Sequence, residues 1–162
     1  MKKHDLVRRL QALGSREPWG EEAMKIEGRL HEEKGWYSTE VPMLLVYTQG
    51  KTPAEAFAMT KDAIETLVDR AGFEVTVTPC DATTFAVEAN DPATLLAFVL
   101  RQQRGLCKLT VRQVAARLGS KNPSSYAQYE RGTIRPSFET FTRLLGAIDP
   151  HLAPMLKVVR TE

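Results

Sequence analysis

The chain has 162 residues, 43% of them hydrophobic and 26% charged, with a formal net charge of +2. That balance belongs to a folded domain rather than a disordered chain, and the length allows one ordinary domain or two small ones. No stretch approaches the roughly 20 apolar residues that cross a bilayer. The opening MKKHDLVRRLQALG lacks the apolar core and small-residue cleavage site of a secretory signal, so the expected setting is cytoplasmic.

The small net charge conceals an asymmetry. Residues 1–92 hold 11 Lys/Arg and 16 Asp/Glu, a balance of −5, whereas residues 93–162 hold 11 Lys/Arg and 4 Asp/Glu, a balance of +7. A basic half beside an acidic half is the pattern of a protein that presents one half to a polyanion. Two solvated surfaces of different charge would give the same count. The two cysteines, Cys80 and Cys107, have no metal-type spacing. Lone thiols of this kind fit a reducing compartment.

Residues 1–23 read as an N-terminal helix and linker. Leu6, Leu10 and Leu13 recur at helical spacing, and Gly14 and Pro18 stop the pattern before SREPWGEEA. From Met24 the period changes to two. Ile26, Gly28 and Leu30 alternate with charged residues as in a half-buried strand. A polar turn at 32–35 leads into the strand WYSTEV at 36–41, Pro42 ends that pairing, and LLVYTQ at 44–49 reads as a third, more buried strand.

A helix follows. Thr52 is its cap, Pro53 its first residue and Glu55 the third position of a capping box. Phe57, Ile64, Leu67, Val68 and Ala71 form an apolar stripe and Gly72 supplies the stop. FEVTVTP, with Phe73, Val75 and Val77 on one face, and TTFAVEA at 83–89 add two strands. The order β-β-β-α-β-β makes a small α+β sandwich with one helix over one face of the sheet.

The run from Gly35 to Val68 resembles the N-terminal domain of HicB-type antitoxins. The residues that carry the likeness are Gly35, Trp36, Val41, Pro42, Thr48, Gln49, Gly50, Thr52, Glu55, Ala56, Lys61, Ala63 and Ile64. The match covers about Met24 to Asp69. It departs at Met43-Leu44-Leu45-Val46, where the family carries an Asp-Leu-Pro-Gly-type turn. The resemblance implies a small degenerate RNase H-like β-β-β-α-β domain over residues 24–90 that binds a toxin, without identifying the contact residues. The opening helix is itself similar to that of HicA toxins, but nothing here matches their Gly-Gly-x-His stretch.

An RNase H-like domain invites a search for an enzyme. Metal-dependent cleavage of nucleic acid needs clustered carboxylates. Glu27 and Glu40 fall on adjacent strands without an evident third partner, and His4, His31 and His151 are scattered. No Ser-His or Cys-His arrangement is visible. No catalytic residue, metal ligand or cofactor is expected.

The remaining chain, residues 91–162, reads as all-α. Asp91 caps a helix with Pro92 at its first position, with Leu95, Leu96, Val99 and Leu100 as its apolar side and Gly105 as its end. Thr110 caps TVRQVAARLG, where Val111, Val114, Ala115 and Leu118 form a one-sided stripe and Gly119 ends it. After the turn Ser120-Lys121-Asn122 comes NPSSYAQYERG. A last helix starts at Ser137, with Phe138, Phe141, Leu145 and Ile148 toward its core.

A short helix, a glycine turn and a second short helix is the helix-turn-helix layout. The set resembles the Cro/C1-type (XRE) DNA-binding domain at Thr110, Val114, Ala115, Leu118 and Gly119, then Tyr126, Tyr129, Glu130, Arg131 and Gly132, then Pro136, Ser137, Glu139, Thr140 and Leu144. In such a domain the second helix enters the major groove by its N-terminal end. The expected DNA-binding residues are Thr110, Arg112, Gln113, Lys121, Asn122, Ser124, Ser125, Gln128 and Arg131. Ser124, Ser125 and Gln128 share one polar face by their spacing, and glutamine pairs bidentately with adenine. Arg112, Lys121 and Arg131 suit phosphates, although Arg131 has Glu130 and Glu139 as alternative partners. Tyr126 and Tyr129 read as core.

Together the two resemblances imply an α+β antitoxin of a type II toxin–antitoxin pair. It would neutralise a HicA-type mRNA-cleaving toxin and, as a homodimer or higher homo-oligomer, repress its own operon at a palindromic operator. No membrane partner is expected. Two rival readings are a stand-alone XRE-family regulator with a ligand-sensing or dimerising N-terminal domain, and an RNase H-like nuclease.

Overall fold

Lys34 and Gly35 both have positive φ, 52° and 78°. That is the backbone of a two-residue primed turn, whose twist matches the strands it joins. It closes a hairpin between β1 (Ile26–Glu33) and β2 (Trp36–Val41), with Glu33 opposite Trp36 and Arg29 opposite Glu40. The first strand therefore runs two residues further than its alternation indicates. A computed structural model describes residues 24–155. The helix and linker expected over residues 1–23 lie outside the described residues.

The expected strand at 44–49 is corrected at its start. Pro42–Leu44 forms a single 3-10 turn and Leu45 is left-handed, with φ 53°, so extended backbone begins only at Val46. Proline sets the helical φ of that turn, and a left-handed residue cannot continue a ladder. Leu44 is consequently turned fully inside. β3 (Val46–Gly50) then pairs with β2, placing Thr39 opposite Thr48.

α1 (Pro53–Val68) starts where the sequence places it. The Thr52 hydroxyl accepts from the Glu55 N–H at 3.1 Å, and the Glu55 carboxylate accepts from the Lys51 N–H at 2.7 Å, one residue short of the expected reciprocal partner. Its end and its buried face both differ from the stripe read above. Asp69 takes the left-handed C-cap with φ 48°, ahead of Gly72. Ala56, Thr60 and Ile64 are the fully buried residues, whereas Leu67 is 55% exposed and Ala71 lies outside the helix. The reason is a polar cluster. The Thr60 hydroxyl lies 2.7 Å from that of Thr39 and 3.0 Å from that of Thr48, and it donates to the Ala56 carbonyl at 2.9 Å. A satisfied threonine is buried without hydrophobic penalty, so the helix faces the sheet through a row that hydrophobicity alone does not mark.

β4 (Val75–Pro79) and β5 (Thr84–Ala89) form a second hairpin. β5 also pairs with β1, giving an all-antiparallel sheet in the order β3-β2-β1-β5-β4. α1 covers one face. Gly28 lies opposite Phe85, and a Cβ on it would fall 2.2 Å from the Phe85 ring. Phe85 is fully buried and meets Phe57 at a centroid distance of 5.2 Å. The expected result for Gly28→Ala is a loss of about 1–3 kcal/mol through overpacking, read as a lower midpoint in urea unfolding; an unchanged midpoint would show that the ring moves aside freely.

The C-terminal helices are α2 (Pro92–Leu106), α3 (Val111–Arg117), α4 (Pro123–Glu130) and α5 (Phe138–Ile148). The caps Asp91, Thr110, Asn122 and Ser137 all accept a backbone N–H as expected. α2 is not one-sided. Every residue from Thr94 to Leu100 is buried, and so is Gln103. It packs on the Pro42–Leu44 turn and β5 as well as on α4 and α5, and it passes Gly105 before ending at Leu106. The Gln102 and Gln103 amides donate to the Leu44 and Met43 carbonyls at 2.8 and 2.9 Å. In α5 the core is Phe141, Leu144, Leu145 and Ile148, while Phe138 is 47% exposed. Its place at the first turn of the helix puts it beyond the neighbours that cover Phe141.

Candidate nucleic-acid interface

The pair α3–α4 is set by short-range chemistry. The Thr110 hydroxyl accepts from the Gln113 N–H at 3.1 Å, and the Gln113 Oε1 accepts from the Thr110 N–H at 2.8 Å, a complete capping box. α3 stops because Gly119 adopts φ 76° and the Ser120 N–H returns to the Ala115 carbonyl. Asn122 then opens α4: its Oδ1 accepts from the Ser124 N–H at 2.9 Å, and Pro123 occupies the first helical position. Val114 and Ala115 are buried, with Val111 and Leu118 partly so.

α4 has two unlike sides. Tyr126 and Glu130, four residues apart, are buried. The Tyr126 hydroxyl donates to Glu130 Oε1 at 2.5 Å, and Arg104 of α2 grips the same carboxylate with Nε at 2.6 Å and Nη2 at 3.1 Å. Arg104 also donates from Nη1 to the Leu109 carbonyl at 2.9 Å, which ties the α2–α3 connection to the same group. Burial, and then the hydrogen bond to Glu130, push the Tyr126 phenol well above its ordinary pKa. The Glu130 hydrogen bond raises that of Arg104. These are the marks of a desolvated, paired network, and it holds the recognition-type helix against α2. Among the expected pairings, Glu130 therefore belongs to Arg104 and not to Arg131. The only sequence signal for it is the i, i+4 spacing of Tyr126 and Glu130; Arg104 is remote in the chain.

The opposite side of α4 carries Ser124, Ser125 and Gln128, the first two exposed and the third half-buried, with exposed Lys121 and Asn122 just ahead of it. Thr110, Arg112, Gln113 and Arg131 are also exposed. The structure thus brings Lys121, Asn122, Ser124, Ser125 and Gln128 together at the start and outer face of α4, with Thr110, Arg112 and Gln113 on the first turn of α3. Four of these groups are partly committed, Thr110 and Asn122 through the cap oxygens already described, and Ser125 and Gln113 as well. The Ser125 hydroxyl donates to the Asn122 carbonyl at 3.1 Å, and the Gln113 Oε1 is held by the capping box, so an incoming group meets the Ser125 lone pairs and the Gln113 amide N–H2. The Ser124 and Gln128 side chains form the open polar pair.

The other candidates are arranged differently. Among the described residues, Glu27 and Glu40 share the face of the sheet opposite α1, where Glu40 lies 3.5 Å from both Arg29 and His31. Among the described residues no group of three or more His, Cys, Asp or Glu is placed to hold a metal ion. No helix among them is long and apolar enough to cross a membrane.

Compared with known protein families, residues 100–149 match helix-turn-helix. The span begins within α2 and takes in α3, α4 and α5, so it contains the capping box, the Gly119 turn and the Glu130 network. No curated protein and no solved structure matches the chain.

Proposed function

We propose that the protein is a transcriptional repressor that docks the N-terminal end of α4 in the major groove of operator DNA, and that it is the antitoxin of a HicA-type toxin. The carrying observation is the helix-turn-helix at residues 100–149 whose second helix buries Tyr126 and Glu130 and turns an outer polar face to solvent. Helix-turn-helix proteins read bases from that end of that helix. Gln128 and Ser124 are the base-reading groups, with Asn122 and Ser125 beside them. Arg112, Lys121 and Arg131 supply phosphate contacts, and Thr110 and Gln113 orient the first turn of α3 toward the backbone. A palindromic operator and a homodimer follow from the two-fold logic of such readers.

The antitoxin part rests on the HicB-like residues between Gly35 and Ile64, on their degenerate RNase H-like reading, and on the acidic balance of residues 1–92, which complements a basic RNA-binding toxin. A pull-down from the native host tests it: recovery of one small basic RNA-cleaving protein is the expected result, and recovery of none leaves a stand-alone regulator. The DNA reading has its own test. Gln128→Ala is expected to cost about 1–3 kcal/mol at one base position of the operator and little elsewhere, measured by fluorescence anisotropy on a set of single-base operator variants. An equal loss on every sequence would make Gln128 a backbone contact.

A further inference from the structure

The C-terminal end of α1 meets the C-terminal end of α4 across a cleft of about 510 Å³. Three arginines line it, Arg70 just after α1, Arg101 in α2 and Arg131 at the end of α4. Their acidic neighbours are largely engaged. Glu130 is held by Arg104 and Tyr126, and Asp91 accepts from the Thr94 N–H and hydroxyl, with its carboxylate 3.9 Å from Arg70. Asp69 is the remaining acid in the wall.

The arginines also retain donors. Arg70 uses Nη1 on the Thr94 hydroxyl and Nη2 on the Arg131 carbonyl, and Arg101 uses Nη1 on the Glu130 carbonyl at 2.6 Å. Among the described residues that leaves Nε of Arg70 and both Nε and Nη2 of Arg101, whose guanidinium also lies 5.7 Å from the centre of the Phe98 ring, together with the exposed Arg131 guanidinium. Burial holds the Arg101 guanidinium below its ordinary pKa; Glu130 opposes this, and Arg70 and Arg104 add to the lowering. A half-buried cation facing other cations is relieved by an anion. The rest of the wall is apolar, from Leu67, Val68, Val111 and Ala127. Exposed Leu67, otherwise unexplained on α1, is part of that wall.

We propose that this cleft binds a small organic anion, with its phosphate or carboxylate group on Arg70, Arg101 and Arg131 and its apolar body on Leu67, Val68, Val111 and Ala127. Convergent arginines in a concave, partly apolar site match that chemistry. The site goes beyond the repressor and antitoxin reading and does not depend on it; it shares Arg131 with the phosphate contacts of that reading, so an occupant competes with DNA for that guanidinium. Its walls come from the sheet-covering helix on one side and from the end of α4 on the other, so an occupant touches both.

The test is a methyl and amide NMR titration of the full chain with phenyl phosphate, with phenol and inorganic phosphate as probes lacking the anion and the body respectively. The expected result is saturable shifts at Val111, Ala127 and Gly132, with phenyl phosphate at least about tenfold tighter than either control. Arg101→Gln is expected to weaken it by about tenfold or more through the lost charge-assisted bonds. Arg131→Gln leaves the carbonyl that Arg70 uses and supplies the same comparison if Arg101→Gln fails to fold. Benzoate in place of phenyl phosphate separates a carboxylate ligand from a phosphate one, and saturable binding of either at these residues supports the site. The proposal is overturned by no saturable shift up to roughly 10 mM of either anion, by phenol binding as tightly as phenyl phosphate, or by wild-type affinity in both variants.

Discussion

Glu130→Ala is expected to destabilise the protein by about 3–5 kcal/mol, the usual result of removing one member of a buried ion pair. The carboxylate is 6% exposed and serves three hydrogen bonds, two from Arg104 and one from Tyr126. Its loss leaves a desolvated guanidinium and a buried hydroxyl without their acceptor. Denaturant unfolding followed by tryptophan fluorescence and circular dichroism reads the effect. Two controls separate charge from shape. Glu130→Gln keeps the volume and some hydrogen bonding, and an intermediate loss is expected. The pair Arg104→Met with Glu130→Leu removes both charges and is expected to recover much of the stability. An E130A protein that unfolds at the wild-type midpoint would mean the network holds nothing together. DNA affinity is expected to fall with stability in E130A, because the same contact sets where α4 stands against α2.

A chain ended after Asn90 is expected to lose cooperative unfolding altogether, even though the sequence places a boundary there. α2 begins just after that boundary but packs against elements from both sides of it. Its residues from Thr94 to Leu100 are buried all round, and it covers the Pro42–Leu44 turn, where Leu44 is fully buried. The Gln102 and Gln103 amides would also leave the Leu44 and Met43 carbonyls. Uncovering that much apolar surface, at about 25 cal/mol per Å², exceeds the margin by which small domains are stable. Calorimetry on the truncated chain checks this: a sharp endotherm would sink the expectation, and a broad or absent transition would support it. The proposed toxin binding is therefore better tested in the full chain with substitutions in α4 than by removing α2.

The uneven legibility of the site has a physical cause. Spacing puts Ser124, Ser125 and Gln128 on one polar face and capping puts Asn122 at the head of the helix, and the structure has them there. Helical periodicity and a cap depend on three or four neighbouring residues, so both are decided within the segment. Ser125 is the instructive exception. Its spacing is right, but its hydroxyl proton is spent on the Asn122 carbonyl, a bond decided by the tightness of the turn. Arg70 and Arg101 carried no signal, because surface arginines are common and only the approach of two helix ends makes these converge.

What the amino-acid order determined by itself was local: the five-strand, five-helix order between residues 24 and 150, the caps at Thr52, Asp91, Thr110, Asn122 and Ser137, the polar outer side of α4, and the acid–base division of the chain. What only the tertiary structure decided was which apolar and charged side chains found partners. Leu67 and Phe138 fit an apolar stripe yet stand exposed, Thr60 does not and is buried, and Leu45 turned left-handed where a strand was expected. Arg104 found Glu130 from 26 residues away and Arg70 found the Arg131 carbonyl from 61. Periodicity reports which side of an element is apolar, but burial depends on what arrives to cover it, and a polar side chain is admitted to the core only when a partner from elsewhere satisfies it.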